Sequence, residues 1–183
     1  MKKIIWTFGL ISGAILSLMM VVAIPFSDKI GYDKGLVIGY TTMVLSFLLV
    51  YFGIRSYRDN VGRGVVSFGR ALAVGLGIVL ISSACYVATW EVLYFKFTPD
   101  HLQKYNEYII EQERQKGASE AAIQQKIAEQ RQFTERYDHV LFNSAITFLE
   151  PLPVGVVIAL VSAGVLRRKR REEDAAQLVA SVV

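Results

Sequence analysis

The chain's most conspicuous chemistry lies in two carboxylates set in otherwise uncharged stretches. No charge separates Glu91 from Arg70, and Glu150 is the only charged residue between Leu141 and Leu166. An ionisable side chain inside an apolar helix is costly and ordinarily faces a helix bundle or a water-filled cavity. At 1.5 Å per residue, Glu91 falls about 9 Å and Glu150 about 13 Å below the outer ends of their segments, a similar depth. Neighbouring carboxylates can share a proton, which is the chemistry of a proton or cation site. The plainer reading is structural: Glu91 reaches headgroup water and Glu150 caps a broken helix. Pro151 and Pro153 predict that break, because each removes a backbone donor. Such a kink either shapes packing or exposes carbonyls at a binding site.

A second constellation flanks the polar segment that follows. Asp100-His101 and Asp138-His139 stand at its opposite ends. If the segment folds as a hairpin, its ends meet, and the two Asp-His pairs would supply metal-type ligands. No short-spaced ligand motif supports this, and solvated helix ends are the alternative. The sequence contains no phosphate loop, nucleophile elbow, HExxH or CxxC, which argues against the common enzyme classes. Cys85 is alone, so it forms no intrachain disulfide. No cofactor is expected.

The elements that must position these residues follow from composition. Of the 183 residues 53% are apolar and 20% charged, and the charges fall into short blocks. That distribution excludes disorder and an ordinary water-soluble core. Four stretches, at about 4–26, 35–54, 71–97 and 141–166, reach the ~20 apolar residues that span a bilayer. In hydrocarbon each backbone polar group must be satisfied within its own segment, so helices are expected despite abundant Val, Ile and Phe. The first stretch follows a basic Met1-Lys2-Lys3 but is too long for a secretory core, so it is expected to remain as a span. The predicted fold class is all-α and polytopic: four transmembrane helices in one membrane domain, 1–166. An amphipathic helical hairpin, 98–140, lies between helices three and four, and a basic then acidic tail occupies 167–183.

In the hairpin, Thr98-Pro99 predicts a helix start, with Leu102, Tyr105 and Ile109 as its stripe. Gly117 breaks it. Ser119 then caps a second helix with the stripe Ile123, Ile127, Phe133 and Tyr137.

Basic residues set the predicted threading. Arg55, Arg58, Arg63 and Arg70 lie between spans two and three, and Arg167, Arg168, Lys169, Arg170 and Arg171 follow span four. With Lys2 and Lys3 they place both termini in the cytoplasm of a bacterial inner membrane by the positive-inside rule. The last block also suits anionic headgroups. The net charge of +4 therefore reads as topology rather than nucleic-acid binding. Small residues four apart (Gly9 and Gly13, Gly35 and Gly39, Gly69 and Gly77 about Ala73, Gly155 and Ala159) predict close helix approach or homodimerisation. Trp90, Tyr94 and Phe95 are expected in the outer interfacial belt, with Tyr51, Phe52 and Tyr57 in the inner one.

Several stretches resemble one family. They are Gly53-Ile-Arg-Ser-Tyr-Arg-Asp59, Ser67-Phe-Gly-Arg-Ala71, the approach to Phe142-Asn143, and Thr147-Phe-Leu-Glu-Pro-Leu-Pro-Val-Gly155. In these the chain resembles the bacterial domain of unknown function 4199 family over all but its tail. The resemblance implies a helical membrane protein and assigns no reaction. The expectation is therefore a non-catalytic inner-membrane component. It would contact the lipid bilayer and present its outer hairpin to a membrane-protein partner or a second copy. The alternative is a small transporter or proton-linked permeation unit using Glu91 and Glu150.

Overall fold

The computed structural model describes residues 1–168; residues 169–183, with Lys169, Arg170 and Arg171, lie outside them. The described chain runs α1 (Lys2–Ala23), a 3-10 turn (Ile24–Phe26), α2 (Ser27–Ile30), α3 (Tyr32–Asn60), α4 (Phe68–Lys96), α5 (His101–Gln115), α6 (Glu120–Tyr137), α7 (Val140–Leu149) and α8 (Pro151–Leu166). α1, α3, α4 and the continuous stretch Val140–Leu166 are each long and apolar enough to cross a membrane. The fold is all-α and polytopic, as the charge-free stretches predict. Among the described residues the only extended pairing is an antiparallel bridge between Val66 and Arg168. It brings the α3–α4 loop to the end of α8.

α4 is the central helix and touches α1, α3 and α8. Glycines allow the approach. A Cβ on Gly13 would lie 2.7 Å from Cys85 Cβ, and one on Gly9 would lie 2.8 Å from Ile81 Cβ. α1 and α4 therefore run parallel in contact. On the other side of α4, Gly155 backs onto Val79, and Ala159 onto Gly75. The ladders of spans one and four thus pack as expected. In span three Gly77 packs against Ile5 of α1 as expected while Gly69 does not, and the ladder of span two makes no close contact. Gly35, Gly39 and Gly69 face open space, and the close contacts are made by Gly53, Gly75 and Gly77. Spacing alone marks small residues but not which helix face meets a neighbour.

The core between the helices is Phe47, Val50, Ile54, Val74, Ile78 and Val79, all fully buried. The opposite faces are apolar too: Leu18, Val37, Leu45, Val161 and Val165 are 61–68% exposed. Such a surface is at home in hydrocarbon, where it costs nothing to leave uncovered. Helix pairing there rests on packing and on polar contacts. Ser12 and Ser46 supply the latter for α1 and α3. Each hydroxyl donates to the other residue's carbonyl, at 3.2 and 2.8 Å. Ser82 Oγ donates to the Gly9 carbonyl at 3.1 Å and joins α4 to α1.

The predicted hairpin is present. Gly117 makes the turn at φ +78°, a conformation that costs glycine little. Ser119 caps α6 by accepting from the Ala122 amide. The first cap differs from expectation. α5 begins at His101 with Asp100 at the cap position, and Thr98 instead donates back to the Leu93 carbonyl at 3.1 Å, closing α4.

Candidate functional site

The site grows from the interruption of the fourth span. The helix is broken only at Glu150, whose backbone stays helical (φ −67°, ψ −54°). Pro151 takes the first position of α8, where a missing donor is harmless because that amide has no partner inside the helix. The break is therefore a shallow one, and it leaves the Glu150 side chain exposed and turned to Tyr86 of α4. There the Tyr86 hydroxyl donates to Glu150 Oε2 at 2.9 Å.

Above this point the hairpin is fastened to the spans by aromatic groups. The Trp90 indole N–H donates to the Tyr137 hydroxyl at 3.0 Å, and the Tyr94 hydroxyl donates to Asp138 Oδ1 at 2.7 Å. Tyr94, Leu102 and Tyr137 are buried together. On the other side Tyr32 of α3 stacks edge-on with Tyr105 at 5.2 Å, and the Tyr108 hydroxyl donates to Asp33 at 2.8 Å. Trp90 and Tyr94, expected at the level of the lipid interface, also hold the hairpin. Tyr57, placed in the inner belt by the same reasoning, is buried in the core.

Beneath the hairpin lies a cavity of about 510 Å³, bounded by α1, α3, α4, both hairpin helices and α7. Its walls carry the rings of Tyr32, Tyr40, Tyr86, Trp90, Tyr105 and Tyr137. Glu150 is its only carboxylate among the described residues, and neither Lys nor Arg lines it. Gly35 and Gly39 leave part of the α3 wall without side chains. A second recess, of about 820 Å³, lies on the flank of α1 and α4 beside Asp100 and Lys104.

Glu91 is not among the residues that line the Glu150 cavity. Its Oε1 accepts from Ser144 Oγ at 2.6 Å, and its Oε2 is buried with no hydrogen-bonding partner among the described residues. No hydrogen bond joins the two carboxylates; they take separate partners on opposite helices. Tyr137 feels both. Burial pushes its phenol up, the bonds from Thr147 and Trp90 act against that, and the charges of Glu150 and Glu91 add to it.

The Asp-His pairs are divided among different neighbours. Asp100 pairs with Lys104 at 3.0 Å, and that ammonium holds its carboxyl below the usual carboxylate range. Asp138 is taken by Tyr94, His101 lies against the Trp90 ring at 5.4 Å, and His139 is exposed at the start of α7. Among the described residues no three or more His, Cys, Asp or Glu side chains are placed to hold a metal ion.

Of the basic residues, Arg58 and Arg55 pair with Asp59, at 2.7 and 3.7 Å. The Val66–Arg168 bridge puts Arg63, Arg70, Arg167 and Arg168 at the same end as these. Lys2 and Lys3 are there as well, because α1 runs parallel to α4.

The aromatic wall went unread in the sequence, although it left a signal. Tyr86, Trp90 and Tyr94 are spaced four apart and so share one face of α4. Tyr86 in particular stands where it can reach the fourth span.

No curated protein and no solved structure matches the chain. Residues 7–168 match the family model described as "Protein of unknown function (DUF4199)", and the chain belongs to that family.

Proposed function

We propose that this protein is a non-catalytic binding component of the bacterial cytoplasmic membrane. It spans the bilayer four times with both termini in the cytoplasm, and its outer hairpin roofs a ligand cavity. The observation that carries the reading is the cavity of about 510 Å³ under that hairpin. Sites for small molecules are commonly apolar clefts of about 300–1,000 Å³ with a few polar groups that fix orientation. The clustering of basic residues at one end of the helices supports the threading. Permeation through a Glu91–Glu150 pair has weaker support, because only Glu150 lines the cavity.

Native mass spectrometry of the protein released from its membrane tests the reading. Gly39→Leu extends a side chain into space that is empty around Gly39. Wild type is expected to carry a small apolar adduct that Gly39→Leu lacks at equal folded yield. Equal adducts in both, or none in either, would overturn it. Cysteines placed singly near Lys2 and at Gly117 are expected to react with an impermeant thiol reagent from the inside and the outside respectively. The reverse pattern would invert the threading.

A further inference from the structure

We propose that the cavity binds a lipophilic cation: an apolar body bearing an ammonium- or phosphonium-type charge, with Glu150 as its counter-ion. The inference rests on the cavity reading above and adds the ligand's chemistry. Three features of the walls select the class.

Charge comes first. Glu150 has no basic partner among the described residues; its hydrogen bond is with the neutral Tyr86 hydroxyl. Glu150 is exposed to the cavity within a stretch apolar enough to cross a membrane, where a carboxylate without a counter-ion is costly, and a cation entering the cavity removes that cost. An anion would meet the carboxylate with no Lys or Arg to offset it. His101 is the other titratable group at the walls outside the phenols, and it lies at the roof against Trp90 and Tyr32.

The aromatic rings are the second feature. Tyr40, Tyr86, Trp90 and Tyr137 present π-systems to the same space as Glu150. A cation within about 6 Å of such a ring is attracted by its quadrupole, and quaternary ammonium ligands are bound this way in aromatic cages.

The third is shape. Leu16, Met20, Leu36 and Met43 complete the walls with flexible or apolar surface. Such surface suits a hydrocarbon body rather than a hydrated ion, and methionine adapts to irregular ligands. Glu150 orients the charge, and the apolar walls take up the body.

Tetraphenylphosphonium is a suitable probe, with tetraphenylborate as its oppositely charged counterpart. The chain has two tryptophans, and Trp90 lines the cavity. In a Trp6→Phe background, Trp90 fluorescence in phosphatidylglycerol nanodiscs reports binding. Saturable quenching by the phosphonium is expected, weakened at least tenfold by Glu150→Gln, while borate quenching stays the same or strengthens. Glu150→Asp keeps the charge and is expected to bind at intermediate strength, which guards against a folding defect in Glu150→Gln. If Glu150→Gln shifts both probes equally or neither, the cation inference fails while the cavity stands. If neither probe saturates and Gly39→Leu changes nothing, the cavity reading fails with it. Phosphatidylethanolamine added to the nanodiscs separates sources of the cation. Competition with the phosphonium identifies a lipid ammonium as occupant, and no competition identifies a free amphiphile.

Discussion

Tyr137 accepts a 3.0 Å hydrogen bond from the Trp90 indole and lies 3.4 Å from Thr147 Oγ1, so a single phenol on the hairpin joins α6 to α4 and α7. Tyr137→Phe would leave a part-buried indole N–H without its acceptor. An orphaned buried donor costs about 1–3 kcal/mol. Because the bond closes the hairpin onto the spans, the loss is expected to fall there. Hydrogen exchange should quicken in α5 and α6 and stay unchanged in α1 and α3. Equal loosening of all helices would mean that the hairpin and the spans unfold as one unit.

Glycines in this chain separate into those that touch a neighbour and those that do not, and the two classes predict opposite outcomes. A Cβ on Gly13 would meet the Cys85 side chain at 2.7 Å, whereas Gly69 has nothing within 4 Å. Overpacking a tight contact costs about 1–3 kcal/mol. Replacing an unstrained helical glycine by alanine gains roughly 0.5–1 kcal/mol. Thermal unfolding in one detergent should therefore show Gly13→Ala melting below wild type and Gly69→Ala at or above it. A loss for Gly69→Ala would indicate that its open face meets a partner helix in the membrane, which would favour homodimerisation.

The paired serines of α1 and α3 give a third test. Ser12 and Ser46 exchange hydroxyl-to-carbonyl bonds at 3.2 and 2.8 Å, and their hydroxyls lie 2.9 Å apart. Interhelical hydrogen bonds in membranes contribute about 0.6 kcal/mol on average and up to about 1.7. Ser12→Ala and Ser46→Ala should each destabilise by about that much. The double variant should lose less than the sum, because the second change removes a group already deprived of its partner. Strict additivity in a double-mutant cycle would show that the two hydroxyls act independently.

These cases show where the sequence was legible. Charge-free length identified the four spans and Gly117 with Ser119 placed the hairpin turn, because each depends on local chemistry: hydration of charge, a left-handed φ, an amide in need of an acceptor. Partner choice was not local. Glycine spacing predicted contacts at Gly35 and Gly39, but the α3 face that packs carries Gly53, and the other glycines open onto the cavity. Rise per residue gives Glu91 and Glu150 a similar depth, but it fixes neither azimuth nor the register between two helices, and their contacts stagger them. Glu91 meets Ser144, six residues before Glu150, and Glu150 meets Tyr86, five residues before Glu91, so Glu91 is the outer of the two. Trp90 and Tyr94 fit an interfacial belt by position, and only the hairpin's return over α4 turns them inward.

The contact between Tyr108 and Asp33 makes the hairpin's grip on α3 sensitive to alkali. The Tyr108 hydroxyl donates to Asp33 Oδ2 at 2.8 Å, and this bond, reinforced by the aspartate's charge, raises the phenol above its ordinary value. A phenol whose folded value is raised favours the folded contact fully below its unfolded value. It loses that contribution as pH rises through the folded value. The link should therefore persist through neutral pH and release only in alkali beyond the usual tyrosine range. Carbon-13 labelling at the tyrosine ring ζ position, with the Tyr108 signal assigned by Tyr108→Phe, can follow it. Its midpoint should lie above those of solvated tyrosines and return toward them in Asp33→Ala. An unchanged midpoint in that variant would mean that the contact is not populated in the membrane. The hairpin's hold on α3 would then rest on the stacking of Tyr32 against Tyr105.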